Sequence, residues 1–222
     1  HSEYSLLDGA CRIEGLVERV AELGQTSCAL TDHGVMYGVI DFYRACKAKG
    51  IHPVIGCEVY LAPHSRLERS YVNGEWHSHL ILLCENMTGY RNLIHMVSLG
   101  FSEGFYMKPR IDMDLLRQHS EGLICLSACL AGVIPRALAE GDMDGAYELC
   151  EQFLDIFDRD HFYLEVQDHG IEVQKKVNEG LYQLAKELDI GLVATNDAHY
   201  LTKQDAKIQD VLMSIQMGKT VD

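Results

Sequence analysis

The chain has 222 residues, 19 Lys and Arg against 33 Asp and Glu, and a formal net charge of −14. With 47% apolar and 23% charged residues, it has the composition of a folded soluble protein, which excludes a disordered, collagen-like or low-complexity chain. Apolar runs such as Leu80–Cys84 fall far short of a membrane span, and so large a negative charge is the wrong sign for gripping nucleic acid by phosphate neutralisation alone.

The opening His-Ser-Glu-Tyr-Ser has neither a basic nor an apolar stretch, so no secretory leader is expected. The missing initiator Met reads as a processed end or an excised piece. In order, strands are expected at Cys28–Thr31, Pro53–Leu61, His79–Cys84, Leu123–Ser127, Phe162–Val166 and Leu192–Thr195. Helices are expected between them. Arg12–Leu23 places Ile13, Leu16, Val17, Val20 and Leu23 on one face, and Val173–Leu188 does the same with Val173, Val177, Leu181, Leu184 and Leu188. Tyr37–Lys49, Thr88–Leu99, Met143–Phe157 and Lys203–Met217 also read as helices, with Gly24, Gly50 and Gly141 as stops. Ala62–His77, containing Pro63 and Asn73–Gly74, reads as a loop between two strands that pair antiparallel. This alternation implies an α/β chain with a mainly parallel sheet, and one domain over residues 1–222 is the economical reading.

The eight cysteines are scattered without a Cys-x-x-Cys pair, which reads as reduced cytoplasmic thiols. Side chains able to hold a metal collect at strand ends: Asp32-His33, Glu58, Cys129, Asp168-His169 and Asp197-Ala-His199, with His1 and Asp8 ahead of the first helix. Strand carboxyl ends of a parallel sheet face one way, so such residues meet in space. Taken singly, Asp8 and Asp32 are ordinary helix N-caps and Cys129 a buried thiol. Taken together they form a donor set for a multinuclear hydrolytic centre, in which a thiolate favours softer ions such as zinc or iron. His64, His77, His95, His119 and His161 read as surface or packing residues. Glycine-rich nucleotide loops and the Gly-x-Ser-x-Gly elbow are absent, and Ser127-Ala-Cys129 offers a thiol nucleophile with no partner His that the sequence can choose.

His1-Ser-Glu-Tyr-Ser-Leu-Leu-Asp8-Gly9, Thr31-Asp-His33-Gly34, Gly56-Cys-Glu58-Val-Tyr and His79-Leu-Ile-Leu-Leu together resemble the polymerase-and-histidinol-phosphatase (PHP) domain. Gly104-Phe-Tyr-Met-Lys-Pro-Arg-Ile-Asp112, Leu126-Ser-Ala-Cys129-Leu-Ala-Gly132, Tyr163-Leu-Glu-Val-Gln-Asp-His169-Gly and Ala194-Thr-Asn-Asp197-Ala-His199-Tyr narrow the resemblance to PHP domains at the N-termini of bacterial DNA polymerase III alpha subunits. It extends over the whole chain.

The resemblance implies a distorted seven-stranded (β/α) barrel with up to three divalent metals. His1 and Asp197 would hold the first, Glu58 would bridge to a second completed by His79 and Cys129, and Asp8, His33 and His199 would hold the third. The family pattern opens His-x-His, and this sequence begins at the residue matching the second His. Zinc, manganese or iron suits the donors, magnesium least. Asp197, Glu58 and His33 are the expected catalytic residues, and Lys108 and Arg110 the expected clamps on a substrate backbone, against a structural alternative for both. The implied activity is metal-dependent 3′–5′ exonuclease on a DNA primer end. Pyrophosphate or phosphomonoester hydrolysis, or a metal-stabilised scaffold docking a proofreading subunit, are the alternatives. The implied partners are the remainder of the polymerase chain, which carries the nucleotidyltransferase palm, and the proofreading and clamp subunits, with no membrane.

Overall fold

The computed structural model of the chain describes residues 1–69, 71 and 76–221. Its helices are α1 (Ile13–Glu22), α2 (Val39–Lys49), α3 (Met87–Ser102), α4 (Met113–His119), α5 (Val133–Glu140), α6 (Met143–Phe157), α7 (Glu172–Leu188) and α8 (Ala206–Met217). Its strands are β1 (Ser27–Leu30), β2 (His52–Leu61), β3 (Ser78–Cys84), β4 (Phe105–Tyr106), β5 (Lys108–Ile111), β6 (Leu123–Leu126), β7 (Phe162–Val166) and β8 (Gly191–Ala194). They fall into two compact units, His1–Cys57 with Ala198–Asp222, and Glu58–Asp197. No helix among the described residues is long and apolar enough to cross a membrane.

In the first unit, α1 buries Ile13, Val17 and Val20, the i, i+4, i+7 stripe of a helix with one face inward. Leu23, expected on that face, is 56% exposed because the helix has already ended. Helix α2 stops at Gly50, whose left-handed φ of 71° lets Ile51 N–H reach the Cys46 carbonyl at 2.9 Å, a closure that a side chain at Gly50 would strain. β1 pairs parallel with the start of β2, Ser27 opposite His52 through Leu30 opposite Ile55. The expected helix Lys203–Met217 begins as a 3-10 turn over Lys203–Asp205, stabilised by a reciprocal Thr202–Asp205 capping box, before α8 proper. Helix α8 buries no residue, and Ile208, Val211 and Ile215 are exposed.

In the second unit the strand order is β4-β5-β2-β3-β6-β7-β8. The pairs β2–β5, β6–β7 and β7–β8 are parallel, whereas β4–β5 and β3–β6 are antiparallel. The mainly parallel α/β reading therefore holds. Leu80 and Leu82 of β3, Leu123 and Cys125 of β6, and Phe162 and Leu164 of β7 are buried on one face of the sheet, while Ile81 and Leu126 are buried in a second cluster with Ala128. Against the first face lie Phe153 of α6 and Val177, Leu181, Leu184 and Leu188 of α7, whose fifth expected member, Val173, is 38% exposed. Eight strands are described where the resemblance implied seven, and the two-residue β4 is the shortest. The ribbon β4–β5 and helices α4 and α5 were not anticipated. Of the expected loop 62–77, the described part carries no helix and no strand, while Asn73–Gly74 lies outside the described residues.

Candidate metal centres

The expected donors sort into one group within each unit. In the first unit, the chain start brings His1 onto His33, the rings stacked at 3.9 Å between centroids, with His199 tilted against His1 at 4.4 Å. A ring nitrogen from each of these three lies within 4.8 Å of the others. Asp8 Oδ2 is 3.1 Å from His33 Nε2, Asp8 Oδ1 is 3.8 Å from His199 Nε2, and Gln209 on α8 donates to Asp8 Oδ1 at 3.2 Å. Neither Asp8 nor Asp32 caps a helix, since the N-cap positions of α1 and α2 are Arg12 and Gly38. Asp32 instead anchors the N-terminal loop. It is 1% exposed and accepts from Ser2 N–H at 2.5 Å, Ser2 hydroxyl at 2.8 Å and Ser5 hydroxyl at 2.7 Å. Ser5 Oγ in turn accepts from His33 N–H at 3.1 Å, so one buried carboxylate sets both the loop that carries His1 and the backbone of His33. Gly9 completes this packing, because a Cβ there would meet the Ser2 carbonyl oxygen at 2.0 Å.

In the second unit, His79 Nδ1 at the start of β3 lies 2.8 Å from Glu58 Oε1 on β2 and 3.8 Å from Cys129 Sγ in the loop after β6. Ligand atoms around one tetrahedral cation lie about 3.3–3.7 Å apart, so this N, O, S trio would seat zinc or iron after shifts of about half an ångström. Burial first, and then the Glu58 carboxylate, push the Cys129 thiol up to about 12. A protonated thiol crowded between an imidazole and a buried carboxylate is what a divalent cation resolves, by drawing off the thiol proton and neutralising the carboxylate. The chemistry of the donor set thus fits a metal in both units. Asp197, half-buried at the end of the β8 loop, takes a left-handed φ of 47°. One of its carboxylate oxygens lies within 4.8 Å of a Glu58 carboxylate oxygen, beside this trio.

Two further residues, Glu165 and His77, were not legible from residue type alone. Glu165 on β7 is 6% exposed and receives hydrogen bonds from the Thr195 hydroxyl and, at 3.1 Å, from the Gln167 amide, while its N–H donates to Ser127 Oγ at 2.8 Å. It thereby ties together the strand ends that carry Cys129 and Asp197. Its Oε2 has no partner among the described residues, and it lines a cavity of about 10 Å³, room for one water. Burial is the main cause that raises its pKa. A carboxyl whose folded pKa is raised costs stability above that pKa, and the cost vanishes as pH falls through the unfolded value. Glu165→Gln is therefore expected to melt higher than the parent at pH 8, with the difference closing by pH 4. An equal difference at both pH values in a thermal melt would contradict this.

His77, expected as surface or packing, stacks at 5.9 Å with His79. Burial pushes it down to about 4, with the neighbouring charges of His79, Lys108, Arg136 and Arg110 adding to the effect. Arg110 is 1% exposed and its guanidinium donates to backbone carbonyls, the arrangement expected of its structural alternative. Lys108 sits with Nζ 5.2 Å from the Tyr60 ring centroid, and Tyr60 abuts His79 at 5.4 Å. Asp168 and His169 join neither group: Asp168 accepts from Gly170 N–H, and His169 bonds Asn196 O and Gln174. The cysteines form no disulfide among the described residues. A cleft of about 900 Å³ in the first unit, lined by Tyr4, Arg12, Glu18, Asp41 and Arg44, contains none of the donors.

A family model described as the PHP domain matches residues 1–169. The chain is 49% identical over 220 residues to DNA polymerase III subunit alpha of Treponema pallidum (strain Nichols), which covers 99% of this chain and 19% of that protein. It is 42% identical over 226 residues to the protein of the same name from Thermus aquaticus, covering 100% of this chain and 18% of the relative. It thus spans about a fifth of the length of these curated relatives. Among solved structures it resembles a Bifidobacterium adolescentis protein described as a metal-dependent phosphoesterase, with TM-score 0.58, 13% identity and coverage of 88% and 85% of the two chains. It also resembles an amidohydrolase from Chromobacterium violaceum, with TM-score 0.56, 12% identity and coverage of 96% and 94%. At these identities the likeness is one of fold.

Proposed function

The chain belongs to the PHP domain family, and from that premise we propose that it is the amino-terminal domain, residues 1–222, of a cytoplasmic DNA polymerase III alpha chain and a metal-dependent 3′–5′ exonuclease. The observation that carries the reading is the second unit's trio, Glu58, His79 and Cys129, an imidazole, a carboxylate and a thiol within 4.8 Å of one another. In this reading they hold one cation and the first unit's His33, His199 and Asp8 hold another, with His1 and Asp197 as further donors. Divalent cations supply hydroxide near neutral pH and stabilise charge on phosphoryl oxygens. The chain's own part is to hold the donors on rigid strand ends: Asp32 sets the loop of His1, Glu165 ties the loops of Cys129 and Asp197, and Glu58 keeps His79 oriented through its 2.8 Å contact. Asp197, Glu58 and His33 are the proposed catalytic residues, and Lys108 the proposed contact to the substrate backbone. The substrate is a DNA primer end, and the partners are the remainder of the polymerase with its proofreading and clamp subunits.

The test is release of the terminal nucleotide from a 3′-mismatched primer before and after chelation. Trimming should disappear with chelator and return with zinc or manganese. Hydrolysis confined to pyrophosphate or a phosphomonoester would replace the exonuclease reading. A second reading, a metal-stabilised scaffold, draws on the exposed apolar residues Ile208, Val211 and Ile215 of α8, a face suited to covering by other protein. Chelation that lowers the melting temperature in a chain without hydrolysis would favour it.

A further inference from the structure

One corner of the second unit gathers rings and cations beside the Glu58, His79 and Cys129 group. Trp76 stacks on Tyr106 with centroids 5.3 Å apart and planes at 23°, and Tyr71, 59% exposed, meets Trp76 at 5.3 Å in a T-shaped pair. On the β4–β5 ribbon Tyr106 lies directly opposite Lys108, and paired antiparallel residues project from the same face. Lys108 covers Tyr60, whose ring stands edge-on to His77 at 4.8 Å and to His79 at 5.4 Å. From α5, Arg136 reaches the same place and donates to the His77 carbonyl at 3.2 Å. In a chain of net charge −14, two cations and an aromatic stack therefore meet one ring away from a candidate metal donor.

Packing explains part of this corner, since Arg110 holds the Trp76 carbonyl and stacks beneath Tyr106. Lys108 adds a cation over Tyr60, and Arg136 adds a second beside His77. We propose that this corner binds the end of a single-stranded nucleic acid, with Lys108 and Arg136 at phosphate oxygens and Trp76, backed by Tyr106, stacking a base. Aromatic planes accept any base, and flanking cations follow the backbone, which is the usual division of labour in sequence-tolerant single-strand binding. Pyrophosphate and small phosphomonoesters have no base to stack, so the corner selects among the substrates considered above. The inference rests on the phosphoesterase reading for the role of its neighbour, but binding requires no turnover.

Trp76 is the only tryptophan in the chain, so its fluorescence reports on the corner directly. The experiment titrates the 222-residue chain, in chelator and at low salt, with a short oligothymidylate and separately with inorganic pyrophosphate. Oligothymidylate should quench Trp76 to saturation and pyrophosphate should not. Lys108→Gln, with unchanged circular dichroism and melting temperature, should weaken binding about tenfold and reduce the salt slope by about one, and Lys108→Arg should restore it. Absence of quenching, equal quenching by pyrophosphate, or unaltered affinity in Lys108→Gln would overturn the proposal. Because chelator removes the cations, a failure here leaves the hydrolytic reading standing. Saturable quenching by a chain that never hydrolyses would keep this site and sink that reading.

Discussion

Arg110→Met is expected to lower the melting temperature of the chain by about 10 °C, the largest stability effect of any single substitution considered. The Arg110 guanidinium donates to four carbonyls: Gly104 O at 3.2 Å, Trp76 O at 3.3 Å, Arg66 O at 3.2 Å and Glu68 O at 2.7 Å. Methionine fills much of the volume and provides no donor. Gly104 O keeps the Arg110 backbone N–H at 3.3 Å, and the other three carbonyls, part-buried, lose a charged donor at roughly 1–3 kcal/mol each with overlapping costs, so about 3–5 kcal/mol is expected in total. For a chain of this size each kcal/mol moves the melting temperature by about 2–4 °C. Lys108→Gln, two residues away on a ribbon edge, should change it by less than about 2 °C. Scanning calorimetry on the two variants separates the roles that the sequence alone had assigned jointly, and equal shifts would show that the separation is wrong.

Asp197→Asn is expected to reduce 3′ trimming by at least about a hundredfold without unfolding the chain, the scale associated with losing a group that holds or orients a catalytic metal. The substitution is suited to the purpose because Asn tolerates the left-handed φ of 47° that Asp197 adopts, so shape is kept while charge is removed. The charge matters locally, since it bears on both Cys129 and Glu165. The measurement is the rate of release from a mismatched primer, alongside circular dichroism of the same sample. Unchanged trimming in a folded variant would remove Asp197 from the reaction and with it the proposed catalytic assignment.

Six strands were legible because their apolar runs are bounded by turn residues, and β2, β3 and β7 lie within a residue of their expected limits. The ribbon β4–β5 was hidden because Lys108-Pro-Arg-Ile has neither an apolar run nor strict alternation, and Pro109 argues against a strand. Helix α4 has seven residues, too few for the 3.6 periodicity to declare itself, and α5 places Pro135 in its first turn, where proline is tolerated but reads as a break. Donor types at strand ends were visible in the sequence because metal chemistry restricts them to His, Cys, Asp and Glu. The residues that position those donors were not. Asp32 resembles a helix cap, Glu165 a strand residue and His77 a surface histidine until burial and partners are known. Conversely, Asp168-His169 has the right types in the right place, yet its side chains turn to Gly170, Asn196 and Gln174.

Metal content per chain, determined by mass spectrometry on the parent, His79→Ala and His33→Ala, tests the central claim most directly. The account predicts at least two divalent ions in the parent and the loss of about one from each variant, because the two substitutions break donor groups in different units. A parent chain with less than one ion after metal loading, or variants that retain the full complement, would contradict it.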